Sequence, residues 1–388
     1  MTKAVKSLVV AQFLSAFSDN AILFIVVAIV LHSKEPAAWY IPALQSVFLI
    51  AFVTLAPWVG PCADQFPKPQ VLIAANLLKA LGTVMILSGV EPLLAYTVVG
   101  AGAALYSPAK YGILPELVPH EELVTANSWV EGATVAAILI GTVVGAKIAD
   151  HSVSLALAIT TALYVLSALA SSSLPRLPPR GANLSLALSQ LLGRVSKLLA
   201  SVRARVVLLS LSLFWASAAT LRIVLIAWAP LVLGIRSAGQ IAELTLFLAI
   251  GIVMGSGLVP RLIPLEHIRR TRLPAYSIAV FFLLLANAES LWPARAILLG
   301  IGVAGGMFVV PLNATMQQIG HFSIGSGAAV AIQNLFQNLT MLIAVGACTL
   351  AAAHGDSPVT MILVLGALVL IATVLVSRRL PRDRRQAT

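Results

Sequence analysis

The sequence predicts an all-α polytopic membrane protein, two six-helix lobes (12 transmembrane helices) around a central cavity. Three observations predict it. Hydrophobic residues make up 59% of the chain and charged residues 10%, with a mean hydropathy of +0.98, far from the soluble average. Apolar runs long enough to cross a bilayer as helices recur about twelve times. The longest polar connection, 175–205, divides those runs six and six.

In chain order the runs fall near 7–31, 39–60, 70–89, 92–113, 124–148 and 152–174, then 206–234, 240–263, 273–288, 293–318, 324–353 and 357–377. The first follows Lys3 and Lys6, as in a signal peptide, but it contains Gln12 and Asp19 and outlasts an h-region, so it is read as an uncleaved helix. The fourth and tenth carry prolines, in Ser107-Pro108-Ala109-Lys110 and Val310-Pro311-Leu312-Asn313, and are expected to be broken there. Glycines four apart, at Gly141/Gly145, Gly251/Gly255 and Gly302/Gly306, predict close helix contacts. The connection 175–205 holds Arg176, Arg180, Arg194, Lys197, Arg203 and Arg205 and no acid. Its middle, Leu184–Leu192, reads as a short amphipathic helix on the membrane surface. The expected organisation is therefore an N-terminal lobe at 1–174, a basic linker at 175–205 and a C-terminal lobe with a basic tail at 206–388.

The net charge of +11 suggests nucleic acid at first sight, but its placement argues against it. About 18 of the 25 Lys and Arg residues fall in segments that share one side of the membrane when there are twelve spans. The opposite side has only Lys34, Lys147, Arg236 and Arg295. Lysine and arginine accumulate on the cytoplasmic side, so both termini are expected there. Cys62 and Cys348 lie near the ends of distant runs and indicate neither a disulfide framework nor a metal site.

The charges left inside the runs carry the chemistry. Asp19 lies roughly 20 Å of helix beyond Lys6 at about 1.5 Å per residue, where an aspartate costs about 2.5–3.5 kcal/mol. It needs a partner, a wet cavity, or both. Arg222 is about 25 Å of helix past Arg205, at a comparable depth in the first helix of the second half. Two readings stay open: a structural ion pair locking the lobes, or a polar-headgroup site with Arg222 for a phosphate and Asp19 for an amine. Lys110 is a third candidate, either meeting phosphate, pairing with Glu116 or Glu131, or snorkelling from a helix end. Asn127 and Glu131 fall at helical spacing, as do Gln333/Gln337 and Asn334/Asn338. Interhelical hydrogen bonds explain such rows; cavity lining by Gln333 and Asn334 is the alternative. Asn76 and Lys79 read as a helix-interface pair. Gly60, Asp64 and Lys68 read as a short cytoplasmic turn whose ion pair holds a gate shut.

The Gly60…Asp64…Lys68 segment resembles the loop between spans two and three of the major facilitator superfamily, departing from it at Gln65 and Pro67. Val10-Ala11-Gln12-Phe13-Leu14-Ser15-Ala16-Phe17-Ser18-Asp19-Asn20-Ala21, Tyr106-Ser107-Pro108-Ala109-Lys110-Tyr111-Gly112-Ile113-Leu114 and Phe308-Val309-Val310-Pro311-Leu312-Asn313-Ala314 narrow it. Together they resemble the bacterial inner-membrane lysophospholipid transporters. The resemblance implies a major-facilitator-type fold. It also implies movement of lysophosphatidylethanolamine, lysophosphatidylglycerol and lysocardiolipin from the periplasmic leaflet to the cytoplasmic side. An acyltransferase/acyl-carrier-protein synthetase there would be the functional partner. Headgroup handling by the residues matching Asp19, Arg222 and Lys110 is implied too, and Asn20 and Tyr106, beside them in the same motifs, join the candidate substrate contacts. A monomer with no cofactor is expected.

Two other functions compete. A proton-coupled antiporter for drugs or other amphipathic molecules also often carries an acid in its first span. A membrane acyltransferase would want a His-x4-Asp pair or an activated nucleophile; no histidine has an aspartate five residues on, and there is no nucleotide-binding P-loop.

Overall fold

The computed structural model describes residues 2–31, 38–119, 123–175, 178, 184–263, 269–324 and 326–379. Among these residues there are thirteen α-helices and no strand. They are α1 (Lys3–Leu31), α2 (Tyr40–Gln65), α3 (Lys68–Leu87), α4 (Pro92–Leu117), α5 (Leu123–His151), α6 (Val153–Ser172), α7 (Ala187–Leu199), α8 (Val202–Leu233), α9 (Ala238–Leu262), α10 (Arg272–Ala286), α11 (Leu291–His321), α12 (Ser326–Ala353) and α13 (Pro358–Arg379). All but α7 match the expected apolar runs. In hydrocarbon only a backbone that satisfies its own hydrogen bonds survives, which is why such runs become helices. Among the described residues, ten helices or their apolar stretches are long and apolar enough to cross a membrane. The 15-residue α10 falls short of that measure, as does α4, diluted by glycines, tyrosines and Lys110.

The helix ends follow local chemistry. Ser152 accepts a hydrogen bond from the Leu155 amide and starts α6, and Ser201 does the same for Ala204 and α8. Pro92 opens α4, where a missing N–H costs nothing. Gly234 ends α8 in the left-handed region at φ 68°, a conformation that only glycine adopts cheaply.

The chain forms two compact units. The first holds α1, nearly all of α2, α3 to α6, and the short segment Ser237–Ala242 that begins α9. Helix α1 is its axis, packed on α5, α6 and α4, while α3 packs on α4 and α6. Gly141 and Gly145 of α5 lie directly on the backbone of Phe17 and Ala21 in α1, so any side chain there would collide. The second unit holds α8, the rest of α9, and α10 to α13. There α8 packs on α12, α13 and α11, and α10 on α13 and α11. The other two glycine pairs meet each other: Gly251 and Gly255 of α9 rest on the backbone of α11 from Leu299 to Val303, and Gly302 and Gly306 of α11 rest on Leu248, Gly251, Ile252 and Ser256.

Four expectations change. Residues 60–65 are the last turn and a half of α2 rather than a loop, so Phe66 and Pro67 alone make the turn. Pro108 and Pro311 sit inside continuous helices, not at breaks. Neighbouring helices hold the chain through the lost hydrogen bond, as membrane helices allow. Helix α4 runs through Pro115 to Leu117, past the expected end near 113. The amphipathic linker helix exists, but at Ala187–Leu199, behind a 3-10 turn at Leu184–Leu186.

Candidate functional site

The deep acid is partnered inside its own unit. Asp19 is half-buried on α1, and the ammonium of Lys79 on α3 lies 2.8 Å from its Oδ2. The hydroxyl of Tyr164 on α6 donates to Oδ1 at 2.8 Å. Lys79 also donates to Ser15, one turn back on α1, at 2.9 Å. Ser15 donates to Asn76 at 2.9 Å, Asn76 to Ser167 of α6 at 2.8 Å, and Ser167 to the Ala11 carbonyl at 2.6 Å. Spacing explains the convergence. Ser15 and Asp19 are i, i+4, Asn76 and Lys79 are i, i+3, and Tyr164 and Ser167 are i, i+3, so each helix offers both groups on one face.

The lysine is packed to stay. Its ammonium lies 4.6 Å from the ring centre of Tyr106 and 5.5 Å from that of Tyr164, close enough for cation–π attraction. Its stem crosses Gly102 of α4, where a Cβ would approach Lys79 Cγ to 2.7 Å. Lys79 has 0% of its side chain exposed, whereas Asp19 has 25%. The network is therefore sealed behind the lysine and open at the acid. Both oxygens of Asp19 hold partners inside the network, Oδ2 with Lys79 and Oδ1 with Tyr164.

Asp19 thus takes Lys79, read from sequence as half of an interface pair with Asn76, as its counter-ion. Asn20, half-buried, donates back to the Ala16 carbonyl at 2.8 Å. Tyr106 is buried under Lys79. Lys110 is buried one turn further along α4, its ammonium 4.0 Å from the Tyr111 ring centre; a snorkelling lysine would not be buried. The side chains of Asn127 and Glu131 lie outside the described residues.

In the second unit Arg222 is half-buried on α8. Gln333 of α12 is buried and donates to Asn313 of α11 at 2.8 Å, so it ties two helices as interhelical bonding predicts. Asn334 accepts at its carbonyl from Asn338. Lys68 does not rest on Asp64 alone. It sits 3.5 Å from Asp64 and 2.8 Å from Glu116 at the end of α4, with its stem against Gly112. Gly60 has open space where a side chain would be.

Sequence reasoning missed Tyr164 and Ser167, and while its reading of Asn76 and Lys79 as a helix-interface pair holds, it did not join Lys79 to Asp19. The missing signal was depth. Lys79 lies about 16 Å into α3, counting about 1.5 Å per residue from Lys68, so its charge needs a partner there as much as that of Asp19 does. Asp150 was also overlooked. It is the penultimate residue of α5, where a helix C-terminus disfavours an acid. Its carboxylate instead accepts from Ser237 at 2.5 Å and from the amides of Ala238 and Gly239 at 2.9 and 2.8 Å, capping the start of α9.

Comparison with known proteins gives this geometry a family. Residues 8–344 match the Major Facilitator Superfamily. The chain is 42% identical over 375 residues to the lysophospholipid transporter LplT of Escherichia coli strain SE11, covering 96% of this chain and 94% of that protein. It is 40% identical over 364 residues to LplT of Photorhabdus laumondii, covering 93% and 91%. Among solved structures, a point mutant of the nucleoside transporter NupG superposes with a TM-score of 0.77 at 14% identity, over 97% of this chain and 100% of that one. A D-xylose–proton symporter does so with a TM-score of 0.75 at 16% identity, over 98% of each. At such low identity these two speak for the fold alone. The all-α fold, the near-complete family match and the 40–42% identity place the chain in the Major Facilitator Superfamily, within the family of the LplT lysophospholipid transporters.

Proposed function

We propose that the protein moves lysophospholipids across a bacterial inner membrane, from the periplasmic leaflet to the cytoplasmic side, with both termini cytoplasmic. The observation that carries this reading is the 42% identity to a lysophospholipid transporter over nearly the whole chain. The open edge of Asp19 supports it. Dragging a bare charged headgroup through hydrocarbon is costly, and polar groups that solvate it lower that barrier. Asp19 meets the ammonium of lysophosphatidylethanolamine. Arg222 and Lys110 meet the phosphate, which lysophosphatidylglycerol and lysocardiolipin share, through charge-assisted hydrogen bonds. Asn20, Glu131, Gln333 and Asn334 offer the remaining polar contacts, and Tyr106 acts through Lys79. The Lys68 ion pairs with Asp64 and Glu116 are the gate. Re-acylation by an acyltransferase/acyl-carrier-protein synthetase removes the product and maintains the gradient, and the transporter itself acts as a monomer.

Purified protein in vesicles, offered labelled lysophosphatidylethanolamine on one face, tests the reading; no protein-dependent uptake overturns it. In the same assay Arg222→Ala lowers uptake about tenfold or more, the scale of one lost charge-assisted contact, while the amount of folded protein stays level. Equal losses of both would make Arg222 a structural residue.

A further inference from the structure

The second unit carries an apolar groove among its helices. In the first unit the Asp19–Lys79–Tyr164 network joins α1, α3 and α6. In the second unit α8, α10, α11 and α13, with Ala344 of α12, line a groove open along one side, its cavity about 160 Å³. Its wall is nearly all apolar, with Leu213, Phe214, Phe308, Leu312, Leu365 and Val369 prominent. Along α13 it extends from Val376 to Leu365, about 16 Å at about 1.5 Å per residue.

One end is charged. Arg272, in the first turn of α10, lines the cavity beside Thr271, near Thr373 and Val376 at the end of α13. Its Nε is buried and makes no hydrogen bond among the described residues. Arg269 and Arg270 precede it in sequence, and Arg270 donates to the Leu262 carbonyl. At the other end, Phe214, Ser217 and Ile278 also line a second, smaller apolar chamber that reaches Leu221, the neighbour of Arg222. Phe214 is the partition, its ring lying over Gly305. An apolar groove with a guanidinium in its lining is complementary to an acyl chain beneath a phosphate. Arginine binds phosphate in a planar fork, and an apolar wall takes a hydrocarbon chain without exposing it to water.

We propose that this track in the second unit binds the acyl chain of a lysophospholipid, with its phosphate on Arg272, as a site separate from the Asp19 network. The proposal rests on the lysophospholipid reading for the identity of its ligand. The occupant assigned is a single acyl chain.

The test is photolabelling of purified protein with lysophosphatidylethanolamine carrying a diazirine near the chain terminus, read by peptide mass spectrometry beside vesicle uptake. Adducts are expected on Leu365–Val376 of α13 or on Phe214 and Phe308. Arg272→Gln should reduce them about tenfold, the scale of one lost charge-assisted contact, and Arg272→Lys should restore part. Ala372→Phe, which narrows the track, should abolish them. If that variant does not elute as folded protein, Val376→Trp at the mouth replaces it. Adducts confined to other helices, with uptake intact, overturn the proposal and leave the transport reading standing. Equal competition by diacyl phosphatidylethanolamine overturns the single-chain assignment. Absence of both adducts and uptake overturns the transport reading, and the proposal with it.

Discussion

Lys79 and Asp19 show what a buried ion pair asks of its surroundings. The pair has a hydrogen-bonding phenol, a serine, two aromatic faces and a glycine that clears space. Removing one partner from such a pair costs about 3–5 kcal/mol because the other charge stays buried. Lys79→Met should therefore lower the thermal midpoint of the purified protein sharply, together with uptake. The double change Asp19→Asn with Lys79→Met should recover most of the midpoint but not the uptake. A double variant as unstable as Lys79→Met alone would mean that the pair is not the stabilising unit. Only half of this arrangement was legible in the sequence. Asp19 was, because a carboxylate that far into an apolar run is expensive. Its partner was not, because sequence-order symmetry suggested the matching helix of the other half, whereas three side chains from α1, α3 and α6 meet only once the helices are packed.

At the scale of elements, glycine spacing read correctly and proline read incorrectly. Gly251/Gly255 and Gly302/Gly306 predicted close contacts and make them with each other, since a missing Cβ is a purely steric fact. Pro108 and Pro311 predicted breaks, but a proline removes one hydrogen bond without dictating where the chain goes next, and here packing keeps both helices continuous. Asp150 belongs to this scale too. An acid in the last turn of α5 disfavours its own helix and favours the positive end of another. Asp150→Ala leaves Ser237 and two amides at the start of α9 without their acceptor. It should lower stability by about 1–2 kcal/mol, the range of a lost N-cap, read as a fall in thermal midpoint; an unchanged midpoint would show that solvent replaces the cap.

At the scale of the whole chain, the twelve long runs and the basic linker made the fold class readable, because hydropathy and length alone decide what can cross a bilayer. The lining of the second unit's cavity was not readable. Leu213, Phe308 and Leu365 look like any core residues until their helices leave space between them. The charge placement predicts sidedness, which thiol labelling can check. With Cys62 and Cys348 replaced by serine, a cysteine at exposed Ser189 in α7 should react with an impermeant reagent only from the cytoplasmic face. One at exposed Ser88, in the turn after α3, should react only from the opposite face. Labelling of both from one face would overturn the assigned orientation.

The close pairing of Lys79 with Asp19 has an electrical consequence. Moving one elementary charge through a membrane potential is worth about 2.3 kcal/mol per 100 mV. A lysine and a carboxylate 2.8 Å apart carry no net charge between them. When this network moves as one body it transfers no current, and the membrane voltage does no work on it. For a zwitterionic cargo such as lysophosphatidylethanolamine, the uptake rate in vesicles should stay the same whether a potassium diffusion potential is applied or collapsed. A rate that rises or falls steeply with that potential would mean that the pair separates during transport or that another charge, Arg222 or Lys110, crosses the field.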